Sequence, residues 1–105
     1  MPNSRQKGKR GELELSHFLT DRGVPARRGQ QFSGSGDSPD VVAELPGMHI
    51  ECKRTERFQL YPALEQATFD TTGTTKMPIV FHRSSRKPWT VVIWAEDFLK
   101  LVASR

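Results

Sequence analysis

Asp40 stands directly after Pro39, and eleven residues later Glu51-Cys52-Lys53 sets a carboxylate and an ammonium two positions apart. In an extended strand, residues two apart point to the same face, so Glu51 and Lys53 share a face while Cys52 points to the other. Ile50 lies on the Cys52 side, which makes that side the apolar one and leaves Glu51 and Lys53 in mid-strand on the opposite face. Two carboxylates beside an ammonium suit the hydrolysis of a phosphodiester. That reaction needs a hard cation to neutralise developing charge and to make hydroxide from water near neutral pH. Mg2+ takes oxygen ligands and is held by one or two carboxylates together with substrate phosphate. Asp40 and Glu51 supply such carboxylates, and the backbone carbonyl of Cys52 is a further candidate ligand for Mg2+ or Mn2+. Lys53, a compact charge with mobile donors, would hold the attacking water or stabilise the pentacoordinate phosphorane. The plainer alternatives are a turn-capping Asp40 and an exposed Glu51–Lys53 strand pair.

These residues need a hairpin to bring them together. Asp40–Leu45 and Met48–Lys53 read as two strands around the Pro46-Gly47 turn, which lays Asp40 beside Glu51. Upstream, Leu15, Phe18 and Leu19 follow the i, i+3, i+4 spacing of a helix running from Gly8 to Arg22 and stopped by Gly23. Val24–Phe32 is a candidate first strand, with Pro25 marking its start, and residues 33–39 are a Ser/Gly-rich loop. Downstream, Leu60–Asp70 reads as a helix with Leu60, Leu64 and Ala67 on one side. Met77–His82 and Trp89–Trp94 read as strands, and Ala95–Ala103 as a final helix bearing Phe98, Leu99 and Val102. The order is α-β-β-β-α-β-β-α, an α/β domain with a mixed sheet flanked by helices.

The chain has 105 residues, enough for one domain over residues 8–105 behind a flexible basic arm of residues 1–7. A domain this small has a thin core, which argues against an organic-cofactor pocket and in favour of a second copy. No apolar run approaches the roughly 20 residues that cross a bilayer, and no secretory signal opens the chain. Cys52 is the one cysteine, so neither an intrachain disulfide nor a Cys-rich zinc site is open to it. A cytoplasmic location is expected, or host cytoplasm for a phage-encoded chain.

Sixteen Lys and Arg against twelve Asp and Glu give a formal charge of +4, and the cations are clustered. Arg5, Lys7, Lys9 and Arg10 crowd the start; Arg27 with Arg28, Lys53 with Arg54 and Arg57, and Arg83 with Arg86 and Lys87 follow. Gathered onto one face, such clusters attract phosphate backbones through charge and counterion release. A solvated basic surface is the alternative, and for the turn around Arg86 the two readings are level.

Pro39-Asp40 followed by Glu51-Cys52-Lys53 resembles the signature of the PD-(D/E)XK nuclease superfamily, whose fold is restriction-endonuclease-like. Lys7-Gly8-Lys9-Arg10-Gly11-Glu12, the helix ending at Gly23, Arg28, and Ser33-Gly34-Ser35 before Pro39-Asp40-Val41-Val42 are similar to the archaeal-type Holliday-junction resolvases. Short phage-encoded nucleases share this pattern. The resemblance implies a magnesium-dependent endonuclease acting on branched DNA as a homodimer. It also implies a metal-facing glutamate from the first helix and a serine from the loop. Residue by residue, it carries to Glu12, Asp40, Glu51 and Lys53, with Ser35, or Ser33, in the loop.

Glu14 competes with Glu12 for the helix position. At 100° per residue, Glu12 falls nearer the Leu15, Phe18, Leu19 stripe, which favours it. Gln66, on the helix after the Glu-x-Lys strand, is a possible accessory group facing the site, or a surface glutamine. His17, His49 and His82 have no metal-ligand spacing and are expected in core or surface roles. A flap, nicking or restriction-type nuclease on the same core is the rival enzyme, and a non-catalytic basic DNA-binding module is the rival outside enzymes.

Overall fold

The computed structural model describes residues 4–29 and 39–104, with the side chains of 8–29 and 39–104. Three helices and five strands follow one another as α1 (Ser4–Asp21), β1 (Ala26–Arg28), β2 (Val41–Ala43), β3 (Met48–Arg54), α2 (Leu60–Asp70), β4 (Met77–Arg83), β5 (Thr90–Val92) and α3 (Ala95–Ala103). The element order is the one read from the sequence, and α2 and α3 have the expected bounds. α1 begins at Ser4, so residues 4–7, read as part of an arm, have helical backbone. The candidate first strand shrinks to three residues.

The strands lie in the order β1-β2-β3-β4-β5, with every neighbouring pair antiparallel except β3 and β4, which are parallel. A parallel neighbour needs a crossover, and α2 supplies it. The crossover lays α2 on one face of β3 and β4, while α1 covers the other.

On the α1 face, Leu15 and Leu19 pack with Val41, Ile50, Ile79 and Phe81. Gly11 permits the closest approach, because a Cβ there would stand 2.6 Å from Cβ of Arg54. On the α2 face, Ala63, Leu64 and Ala67 pack on Val80, with Phe58, Val92 and Trp94 at the margin. The Trp94 indole N–H donates to Thr68 Oγ1 at 2.8 Å, which ties the last strand connection to α2. Leu60, expected on the buried stripe, is exposed; Ala63 takes its place.

Both faces of the central strands are therefore covered, so the alternative of a Glu51–Lys53 pair on an exposed strand face does not hold for Glu51. Its face of β3 lies under α2, and Glu51 and His49 are buried there. α3 contrasts with the other helices. Phe98, Leu99 and Val102 are exposed, and no residue of α3 is buried.

Candidate active site

β3 divides its side chains between the two helices. Ile50, Cys52 and Arg54 turn to α1, as the packing of Ile50 on Leu15 and of Gly11 on Arg54 requires. His49, Glu51 and Lys53 alternate with them and turn to α2. Lys53 is exposed and shares a groove with Pro62, Ala63 and Gln66 of α2.

Asp40 immediately precedes β2 and is held by backbone on three sides. Its N–H donates to Ile50 O at 3.0 Å, and its own carbonyl accepts from Gly29 N–H at 2.8 Å. Its side-chain Oδ2 accepts from Cys52 N–H at 2.8 Å. β2 and β3 pair with Val41 opposite Ile50, and one step further along that register sets Asp40 opposite Glu51. Directly opposed residues share a face, which is why the two carboxyls meet. The N–H and C=O of one residue in an extended strand lean to the same edge, so the Cys52 carbonyl also faces the Asp40 side.

Glu51 sits among groups that resist its ionisation. Burial is the largest influence, followed by hydrogen bonding and charge from Asp40 and then from Asp70, and its pKa is pushed up to about 10. His49 Nε2 lies 2.8 Å from Glu51 Oε1, close enough to share a proton. Among the described residues, the cluster of potential metal ligands within 4.8 Å of one another is His49, Glu51 and Asp70. Gln66 Nε2 donates to Asp70 Oδ1 at 3.0 Å, which links the glutamine to the Glu51 cluster through the aspartate.

Glu12 approaches from the α1 side. Arg28 Nε donates to Glu12 Oε1 at 3.1 Å, and Ser16 Oγ donates to the Glu12 carbonyl at 2.7 Å. The Glu12 carboxyl is shifted upward, by burial first; the Arg28 hydrogen bond opposes this and the charge of Asp40 adds to it. Asp40 is thus sensed by Glu12 on one side and Glu51 on the other. The three approach pairwise through Asp40 and do not form a three-residue cluster as tight as His49, Glu51 and Asp70.

Glu14 is engaged elsewhere. It receives Arg54 Nε at 3.4 Å and pairs with Arg83, pinning α1 to the ends of β3 and β4. The Cys52 thiol is pushed far up, by burial first and then by the charge of Asp40, so it stays protonated.

Of the other anticipated residues, Ser33 and Ser35 lie outside the described residues, as do the side chains of Arg5 and Lys7. Lys9, Arg10, Arg27 and Arg86 are exposed. Arg28 and Arg54 are held in ion pairs with Glu12 and with Glu14 and Glu56. Sequence reasoning missed His49 and Asp70. The signals were present: His49 shares the strand face of Glu51, and Asp70 extends the Ala63, Ala67 stripe by three residues.

A carboxyl opposed across an antiparallel pair, a Glu-x-Lys strand and a helix glutamate thus stand on one α/β frame. The family model described as archaeal Holliday junction resolvase (Hjc) matches residues 3–96. The chain belongs to that family. Membership makes it a nuclease of DNA junctions, selective for their structure. Among solved structures, the Holliday junction resolvase Hjc of Archaeoglobus fulgidus is similar in fold, with a TM-score of 0.59 and 24% identity over 81% of this chain and 75% of that one. A comparison with curated proteins finds no match.

Proposed function

We propose that this resolvase-family chain cuts four-way DNA junctions with a divalent cation held by Asp40 and Glu51, and with Lys53 beside the attacking water. The observation that supports this most is the meeting of the Asp40 and Glu51 carboxyls at the β2–β3 edge, with Lys53 one strand repeat beyond Glu51. The donor set fits a hard cation. Asp40, Glu51, Glu12 and the Cys52 carbonyl are all oxygens, and clustered carboxyls that resist ionisation are what a cation would relieve. A bound Mg2+ or Mn2+ supplies charge neutralisation at the phosphate and acidifies water.

The remaining work falls to the chain. The Cys52 N–H fixes Asp40, while His49 and Asp70 fix Glu51. Arg28 restrains Glu12 on the far side of Asp40. Lys53, exposed at the mouth of the site, orients water or meets phosphorane charge. Ser35 would add a contact from the preceding loop. Lys9, Arg10, Arg27 and Arg86 would grip backbone phosphates, with Arg5 and Lys7 from the start of α1.

A second placement of the cation, between His49, Glu51 and Asp70, is supported by the closeness of those three ligand atoms. Metal affinity separates the two: Asp40→Asn weakens it under the first placement and Asp70→Asn under the second.

Symmetric cutting of a junction needs two sites, so a twofold homodimer is part of this reading. The exposed Phe98, Leu99 and Val102 of α3, with Val91 on the edge strand β5, are the face that would form it.

The test is a panel of labelled four-way junction, flap, nicked and linear duplex with Mg2+ or Mn2+, run beside Glu51→Ala. Junction cleavage that disappears in the variant supports the proposal. Preference for flap or nicked DNA moves it to the rival nuclease, and binding without any cleavage leaves a DNA-binding module.

A further inference from the structure

Beyond Arg54, the chain turns through residues 55–59 before entering α2, and this turn and the helix enclose a groove of about 460 Å3. The volume is within the range of roughly 300–1,000 Å3 that small-molecule sites occupy. Lys53 is part of its lining, so the groove shares a residue with the candidate active site. Its polar lining is Lys53, Thr55, Arg57, Gln59 and Gln66, and its apolar lining is Phe58, Pro62 and Ala63. Among the described residues, no carboxylate lines it.

The state of the cations gives the groove its sign. Lys53 and Arg57 make no ion pair among the described residues. Arg54, between them in sequence and turned to the other face, is held by Glu14 and Glu56. The Gln59 side chain makes no capping hydrogen bond to α2, which leaves its amide available. Phe58 is stacked on His82, with ring centroids 4.0 Å apart at 10°, and this fixes one wall of the groove.

Thr55 Oγ1 donates to the Arg57 carbonyl and Gln66 Nε2 to Asp70, so the two cations and the Gln59 amide are the donors that suit an anion carrying several oxygens. A fixed apolar wall beside them suits a sugar. We propose that this groove binds the phosphodiester and deoxyribose adjoining the cleaved phosphate on the DNA strand. The assignment rests on the nuclease reading, because it takes Lys53 as the point where the cut phosphate lies. Arg57 is the principal phosphate donor and Gln59 assists it. Such a contact reads backbone position and carries no base sequence, as a structure-selective nuclease requires.

The test is a coupling measurement on the full chain, in EDTA so that binding is read without cleavage. Four-way junctions carrying one neutral methylphosphonate at each of the phosphates flanking the cut are titrated with wild type, Arg57→Ala, Arg57→Lys and Gln59→Ala. Both residues are exposed, so thermal melting should match wild type in each variant. Arg57→Ala should weaken junction binding about tenfold, the scale of a hydrogen bond to a charged group, and Arg57→Lys should restore part of it. At one methylphosphonate position the wild type should lose a similar factor and Arg57→Ala should lose nothing further. At the other positions the losses should multiply. Losses that multiply at every position, or unchanged affinity in Arg57→Ala, overturn the groove assignment. A free nucleoside monophosphate that competes with the junction for wild type but not for Arg57→Ala would mark the groove as a product site and overturn the strand assignment. Failure of the nuclease reading shows separately, as no cleavage by wild type when Mg2+ or Mn2+ is restored.

Discussion

Glu51 of β3 and Asp70 in the last turn of α2 bring their carboxyls together beneath the helix, with His49 completing a group whose ligand atoms lie within 4.8 Å of one another. Asp40 presses on Glu51 from the neighbouring strand. One glutamate is therefore shared between the candidate site at the β2–β3 pair and a buried group behind it. Its protonation and its orientation are the properties most open to experiment.

Asp40→Asn and Glu51→Gln are expected to abolish junction cleavage while leaving binding equal to wild type or tighter, since each removes negative charge close to phosphate. Gel-shift titration in EDTA and single-turnover cleavage in Mg2+ separate the two effects. Wild-type cleavage in either variant would remove that residue from the metal site.

The pH dependence of metal-free stability follows from Glu51. Its folded-state pKa is raised from 4.5 to about 10, so the fold holds a proton that the unfolded chain releases. Stability from this group is complete below about pH 4.5 and is lost progressively as pH rises toward 10. Thermal melting in EDTA from pH 5 to 9 should show the decline, Glu51→Gln should flatten it, and Mg2+ should stabilise more at high pH. A flat wild-type profile would contradict the burial-driven shift.

The two glutamates of α1 should separate by readout. Glu12→Gln is expected to slow cleavage more than tenfold, about 1.4 kcal/mol of barrier, with little change in melting. Glu14→Gln breaks partly exposed pairs to Arg54 and Arg83, so it should cost up to roughly 1 kcal/mol of stability and spare the rate. Reversal of the two rate effects would assign the site to Glu14.

The exposed face of α3 makes a prediction about assembly. Wild type should have a dimer mass at micromolar concentration, and Leu99→Asp should shift it to monomer and uncouple the paired cuts of a junction. Light scattering and junction nicking assays report on each. A wild-type monomer would exclude a pair of sites working together.

Gly11 adds a prediction about the frame that carries Glu12. Gly11→Ala would force a Cβ into Arg54, and such overpacking costs about 1–3 kcal/mol. The rate should fall as well, because α1 must lift from β3 and carry Glu12 with it. An unchanged melting temperature would show that the α1–β3 contact has slack.

Local pattern was enough for the parts of this protein that depend on neighbours in sequence. The two-residue period of a strand put Glu51 and Lys53 on one face, and turn chemistry at Pro46-Gly47 set Asp40 against Glu51. The bounds of α2 and α3 followed from apolar spacing. Only the tertiary structure decided what covers each face. The sequence marks the face of Glu51 as the polar one and leaves open what covers it. The parallel pairing of β3 and β4 requires α2 to cross over it, and burial under that helix raises the Glu51 pKa and recruits His49 and Asp70. The surroundings of Glu12 and Glu14 were likewise decided in space, with Arg28 and Asp40 about the first and Arg54 and Arg83 about the second. Periodicity states which residues share a face. It carries no information about which distant element, with which charges, packs on that face.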